Sequence, residues 1–254
     1  MSLPFRLFLF PCFVFIFIDC TYENEPRVGF GSTAGSFALL QSSPAPGQVN
    51  VPLNAPIDLF FDGPPAAETV TLGRLHVYSG VIEILGEVQV DLLDQRIRFS
   101  TATPLMPNLR FQVHLSRDIR GLNGAKLSHS VIFDFSTAAE TLIPKQPPPQ
   151  GPTVAHLQPL WDRYCTSRCH RPPLPEAGVD LSAASAVIET LKNVTSGQAE
   201  LRRVLPFDHA KSYLMRKLLD KGGFMGLPMP PTGPQLARHE LRQIADWIDG
   251  GALP

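Results

Sequence analysis

The chain has no long block of Lys or Arg. Its 22 basic and 23 acidic residues nearly cancel to a net charge of -1, so the electrostatic footprint of a nucleic-acid binder is missing. Catalytic signatures are missing too: no Ser-His-Asp order, phosphate-binding loop or pair of catalytic carboxylates stands out. No enzyme activity is expected of the chain. Long apolar runs are confined to residues 7–18, which follow the lone charge of Arg6 and end at Asp19. A bilayer core of roughly 30 Å needs about 20 apolar residues, so this run predicts an export signal over residues 1–20 and not a membrane-spanning helix. Cysteine is scarce. Of four, Cys12 lies inside the apolar run and Cys20 at its end, which leaves Cys165 and Cys169 for the folded body. In an oxidising compartment such a pair is either a disulfide or a covalently used pair.

Proline, by contrast, is abundant. The 26 prolines are about double the usual share of roughly 5%, which favours turns, strand edges and spacers over long helices. A length of 254 residues accommodates two small domains, each able to bury its own core. Composition marks their limits: a Gly- and Ser-containing leader over 21–40, a first domain over 41–140, a Pro-rich linker over 141–153 built around Gln146-Pro147-Pro148-Pro149-Gln150, and a second domain over 154–254.

Within the first domain, short apolar runs recur with turn residues between them, at 57–61, 75–78, 88–92, 96–99, 111–115 and 131–135. Several alternate apolar and polar residues. That period of two, with β-branched and aromatic residues, predicts an antiparallel β-sandwich of about 100 residues. The stretch Ser43-Pro44-Ala45-Pro46-Gly47-Gln48-Val49-Asn50-Val51-Pro52, the strand after Leu105-Met106-Pro107, and the turn at Asn123-Gly124 resemble the bacterial Ig-like domains of S-layer and other surface proteins. That likeness implies a spacer or adhesion role. His76 and His114 fall inside strands and are expected to face water. Cys20, between the apolar run and a polar stretch, resembles the acylated cysteine of bacterial lipoproteins, with Phe17 and Asp19 where that signal usually has Leu and a small residue. It is expected either to tie the protein to a membrane or to be an incidental thiol.

The second domain opens with Leu157, Leu160, Trp161 and Tyr164 at i, i+3, i+4 and i+7, one helical stripe. It runs into Cys165-Thr166-Ser167-Arg168-Cys169-His170. Two cysteines followed at once by His are the attachment signal of c-type haem: the thiols form thioethers and the imidazole is delivered to the iron. Here three residues separate the cysteines where two are usual. A Cys165–Cys169 disulfide, and a zinc site adding His170 and His209 or His239, are the other uses of the same residues.

Downstream lie Gly178-Val179-Asp180-Leu181-Ser182, residues 203–208, residues 212–218, Met229-Pro230-Pro231, and a closing stripe of Leu241, Ile244, Ala245 and Ile248 beside Trp247 and ending at Gly250-Gly251. In that order they resemble a family of small cytochrome c-like domains of environmental bacteria, with Phe207 where the family has Gly. The resemblance implies a small all-α domain that carries haem c and transfers electrons to a redox partner protein. It implies Cys165 and Cys169 as attachment points, His170 as proximal ligand and Met229 as distal ligand. Met229 sits between Pro228 and Pro230, whose fixed φ stiffens the loop, and Met225 is its rival. A haem-free surface structural or binding protein of the same fold is the alternative. Asp180, Asp208 and Glu240 are expected to cap or to be solvated.

Overall fold

The computed structural model describes residues 35–144 and 151–254. The expected export signal, Cys20, most of the leader and the core of the linker lie outside the described residues.

The first lobe holds eight strands: β1 Leu39–Ser43, β2 Ile57–Phe61, β3 Leu75–Ser79, β4 Ile82–Glu83, β5 Gly86–Asp91, β6 Arg96–Thr101, β7 Arg110–Leu115 and β8 Val131–Ser136. They form two antiparallel four-stranded sheets, ordered β1-β2-β6-β5 and β4-β3-β7-β8. Alternation decides which side chains face inward. Ile57, Leu59 and Phe61 of β2, Ile97 and Phe99 of β6, and Phe111, Val113 and Leu115 of β7 are all buried in one apolar cluster between the sheets. Their neighbours point outward. Asp58 stands directly opposite Arg98 across the β2–β6 pair and accepts two hydrogen bonds of 2.7 Å from it. All six sequence-predicted strands are present, and β1 and the two-residue β4 join them.

The second lobe is helical. Its helices are α1 Val154–Tyr164, α2 Ala184–Leu191, α3 Tyr213–Leu219 and α4 Arg238–Asp249. Leu157 and Trp161 of α1 and Ile244, Ala245, Trp247 and Ile248 of α4 are buried, so both predicted stripes face the core. Trp161 and Trp247 meet edge to face, with centroids 6.3 Å apart at 71°. Glu240 caps the start of α4, accepting from the Ala237 amide at 2.8 Å and from the Tyr164 hydroxyl at 2.9 Å. Asp180 and Asp208 likewise accept from amides two and three residues on, those of Ser182 and Lys211. No helix among the described residues is long and apolar enough to cross a membrane.

The two lobes share one core. Ala66, Ala67, Leu92, Leu93 and Leu122 of the sandwich are buried in the same cluster as Trp161, Val187, Leu218 and Trp247 of the helices.

Candidate functional site

Cys165 follows the last turn of α1, where its amide donates to Trp161 at 2.8 Å. It is a free thiol, and burial pushes its pKa up to about 12, well above an ordinary cysteine. Cys169 is disulfide-bonded, and not to Cys165. The Cys165–Cys169 bridge, the alternative use of this pair, is therefore not formed. The turn after the helix closes with the His170 amide donating to the Cys165 carbonyl at 3.1 Å. His170 is half-buried, its Nδ1 lies 3.1 Å from the Val179 carbonyl, and burial pulls its pKa below the usual histidine value.

Met229 packs against the helical core, and its amide donates to the Lys217 carbonyl at 2.8 Å. Met225 is exposed, its amide donating to the Tyr213 hydroxyl oxygen at 3.0 Å. One residue organises this loop. Lys217 is buried and its Nζ donates to the carbonyls of Met225, at 2.9 Å, and Leu227, while lying over the Phe224 ring. Burial lowers its pKa from 10.5 to about 8. An unfolded chain then binds a proton that the folded chain has released between those values, so stability is expected to rise from pH 8 to pH 10.5, by at most about 3 kcal/mol. The difference in melting between wild type and Lys217→Met across that range measures it. A constant difference would show that Lys217 titrates as in the unfolded chain.

The densest polar cluster lies elsewhere, between the lobes. Asp91, at the end of β5, accepts from Arg242 of α4 at 2.9 and 3.3 Å. Asp94 accepts from Arg242 and Arg238, both at 2.8 Å. Arg216 of α3 reaches Glu68 at 3.2 and 2.5 Å. His209 is buried between them. Its Nδ1 is 2.8 Å from Asp249, and its Nε2 accepts the Leu92 amide of the sandwich at 3.2 Å. Burial lowers the His209 pKa, but the hydrogen bond and charge of Asp249, followed by the charge of Asp91, outweigh it and raise the value overall. A cleft of about 410 Å³ opens beside this joint, lined by residues of both lobes. In the sequence His209 read only as one candidate ligand of a zinc site. The joint it belongs to left no local signal, because its partners are more than a hundred residues apart.

Residues 35–137 match the family model described as a bacterial Ig-like domain. The sandwich lobe is a bacterial Ig-like domain. No curated protein matches the chain. Among solved structures, the Ig-like lobe is similar to the S-layer protein rSbsC(31-844), at 9% identity and a TM-score of 0.32, covering 41% of this chain and 14% of that one. It is also similar to native Escherichia coli α2-macroglobulin, at 18% identity and 0.34, covering 42% and 6%, and to the copper resistance protein PcoC of E. coli, at 14% and 0.32, covering 39% and 97%. The chain thus spans a small fraction of the first two. These likenesses are too loose to speak for function.

The expectation of a c-type cytochrome is corrected here. The family match ends at residue 137 and leaves the helical lobe outside it. Among the described residues no group of three or more His, Cys, Asp or Glu is arranged to hold a metal. Cys165, Cys169 and His170 are accordingly not gathered with a further His, Cys, Asp or Glu into a metal-holding group among the described residues.

Proposed function

We propose that this chain is a haem-free structural unit of the bacterial cell envelope, in which an Ig-like domain carries a helical lobe locked onto it. The joint between the lobes carries this reading. Apolar residues from both lobes fill one core, and three arginines of the helical lobe engage carboxylates of the sandwich around it. Domains of one chain ordinarily meet through polar surfaces and move relative to one another. A shared core with ion pairs at its rim instead makes the two lobes one mechanical body, as a load-bearing or spacing element requires. The Ig-like match and the apolar run before Cys20 support an extracytoplasmic setting.

The experiment is expression in a host with haem-attachment machinery, followed by intact-mass analysis and denaturant unfolding. The purified chain is expected at the mass of its polypeptide alone and to unfold in a single cooperative transition. A mass increase by one haem would overturn the haem-free reading, and two separated transitions would overturn the rigid unit.

A further inference from the structure

The cleft beside the joint is lined by an exposed aromatic ring and by polar side chains of both lobes. Phe207 lies on its rim and is 75% exposed, an unusual state for a large aromatic. Its backbone adopts φ +69, a region that costs a side-chain-bearing residue on the order of 1–2 kcal/mol. This ring is nevertheless fixed. The Phe207 amide donates to Ile248 at 2.8 Å, and the ring rests on Gly251, where even one added carbon would come within 2.8 Å of it. One side of the ring is thus backed by α4's terminal turn, and the described residues leave the rest of it open, a preformed platform.

The floor of the cleft is the outer face of the first sheet. There Arg98 is matched by Asp58 at 2.7 Å, and on the helical wall of the cleft Lys211 is matched by Asp208 and His209 by Asp249, both at 2.8 Å. An anion would meet the carboxylates and a cation the guanidinium groups, so neither gains net charge on entry. An apolar molecule would strand these polar groups without water. Arg96 alone is under-satisfied: its carboxylate neighbours stand at 3.6, 3.7 and 3.9 Å, beyond hydrogen-bond reach, and its Nε is buried with no acceptor. Gln89, on the same outer face of β5, is exposed at the mouth.

We propose that the interlobe cleft binds a neutral saccharide, stacked on Phe207 and hydrogen-bonded by Arg96 and Gln89. Such a ligand has a C–H face for the ring, and hydroxyls that both donate and accept, the capacity that paired carboxylates and guanidinium groups offer. The proposal rests on the docked lobes of the previous section, and the test separates the two, because undocking appears in unfolding and not in binding alone.

The full chain is titrated by calorimetry with cellotetraose, chitotetraose and maltotetraose, with oligogalacturonate as the acidic comparison. At least one neutral tetrasaccharide is expected to bind. Phe207→Gly should lower its affinity at least tenfold without lowering the melting temperature, since glycine adopts the local φ freely. Phe207→Asn, which also tolerates that region, must weaken binding in the same way, and Phe207→Trp must retain it. The proposal fails if no neutral tetrasaccharide binds, if only the acidic one does, or if both ring-removing variants bind as tightly as the wild type.

Discussion

Truncating Trp247 to alanine is expected to cost the fold about 3–5 kcal/mol, the range for emptying a fully buried aromatic site. Trp247 has no exposed surface, lies edge-on to Trp161, and donates its indole N–H to Leu253 at 2.8 Å. The cavity would sit in the cluster that also contains Leu92 and Leu122 of the Ig-like domain, so the loss should reach both lobes. Denaturant unfolding followed by two probes, one in each lobe, should show both midpoints moving together. Val81→Ala is the control: that side chain is 98% exposed, and surface changes of this kind stay within about 0.5 kcal/mol. A loss below about 1 kcal/mol at Trp247 would mean that the helical core is not closed around it.

The sequence made the local elements readable, because a single period carries each. Alternation such as Val88-Gln89-Val90-Asp91 marks a half-buried strand, and the stripes through Trp161 and Ile244 mark the two helices that hold the second core. Strand β1, with the residues Leu39-Leu40-Gln41-Ser42-Ser43, has no clean alternation, and two-residue β4 is too short to show one. The site was read less well. Cys165-Thr166-Ser167-Arg168-Cys169-His170 states only how far apart its atoms are along the chain, and says nothing of what each sulfur is bonded to. Asp91 reads as one more water-facing strand residue until folding brings Arg242 to it from 151 residues away. Phe207 in the place where a related pattern has Gly was legible as a departure, but its meaning depends on Gly251 and on the sheet face opposite, which no spacing rule connects.

Asp91 should be the most sensitive position of the joint. Its side chain is only 14% exposed, it takes Arg242 at 2.9 Å, and its Oδ1 also accepts the turn amides of Leu93 and Asp94 at 3.0 and 2.9 Å. Burial alone would raise its pKa. The hydrogen bond from Arg242, then the Asp94 amide, then the charges of His209 and Arg242 overcome that and hold it at about 2, against 3.8 for an ordinary aspartate. Because the folded pKa is the lower one, this stabilisation is complete above pH 3.8 and disappears as pH falls toward 2, an acid-sensitive share of about 2 kcal/mol. Asp91→Ala removes the charge and the one oxygen that accepts both turn amides, and leaves Arg242 facing Asp94 alone, so it is expected to cost about 3–5 kcal/mol at neutral pH, as for breaking one side of a buried pair. Asp91→Asn keeps an acceptor for the turn and should cost less, yet it must flatten the drop in stability between pH 4 and pH 2. The measurement is the melting temperature of the three proteins across that range. If the asparagine variant loses stability in acid as steeply as the wild type, Asp91 does not hold the lobes together through its charge, and the joint rests on the shared apolar core.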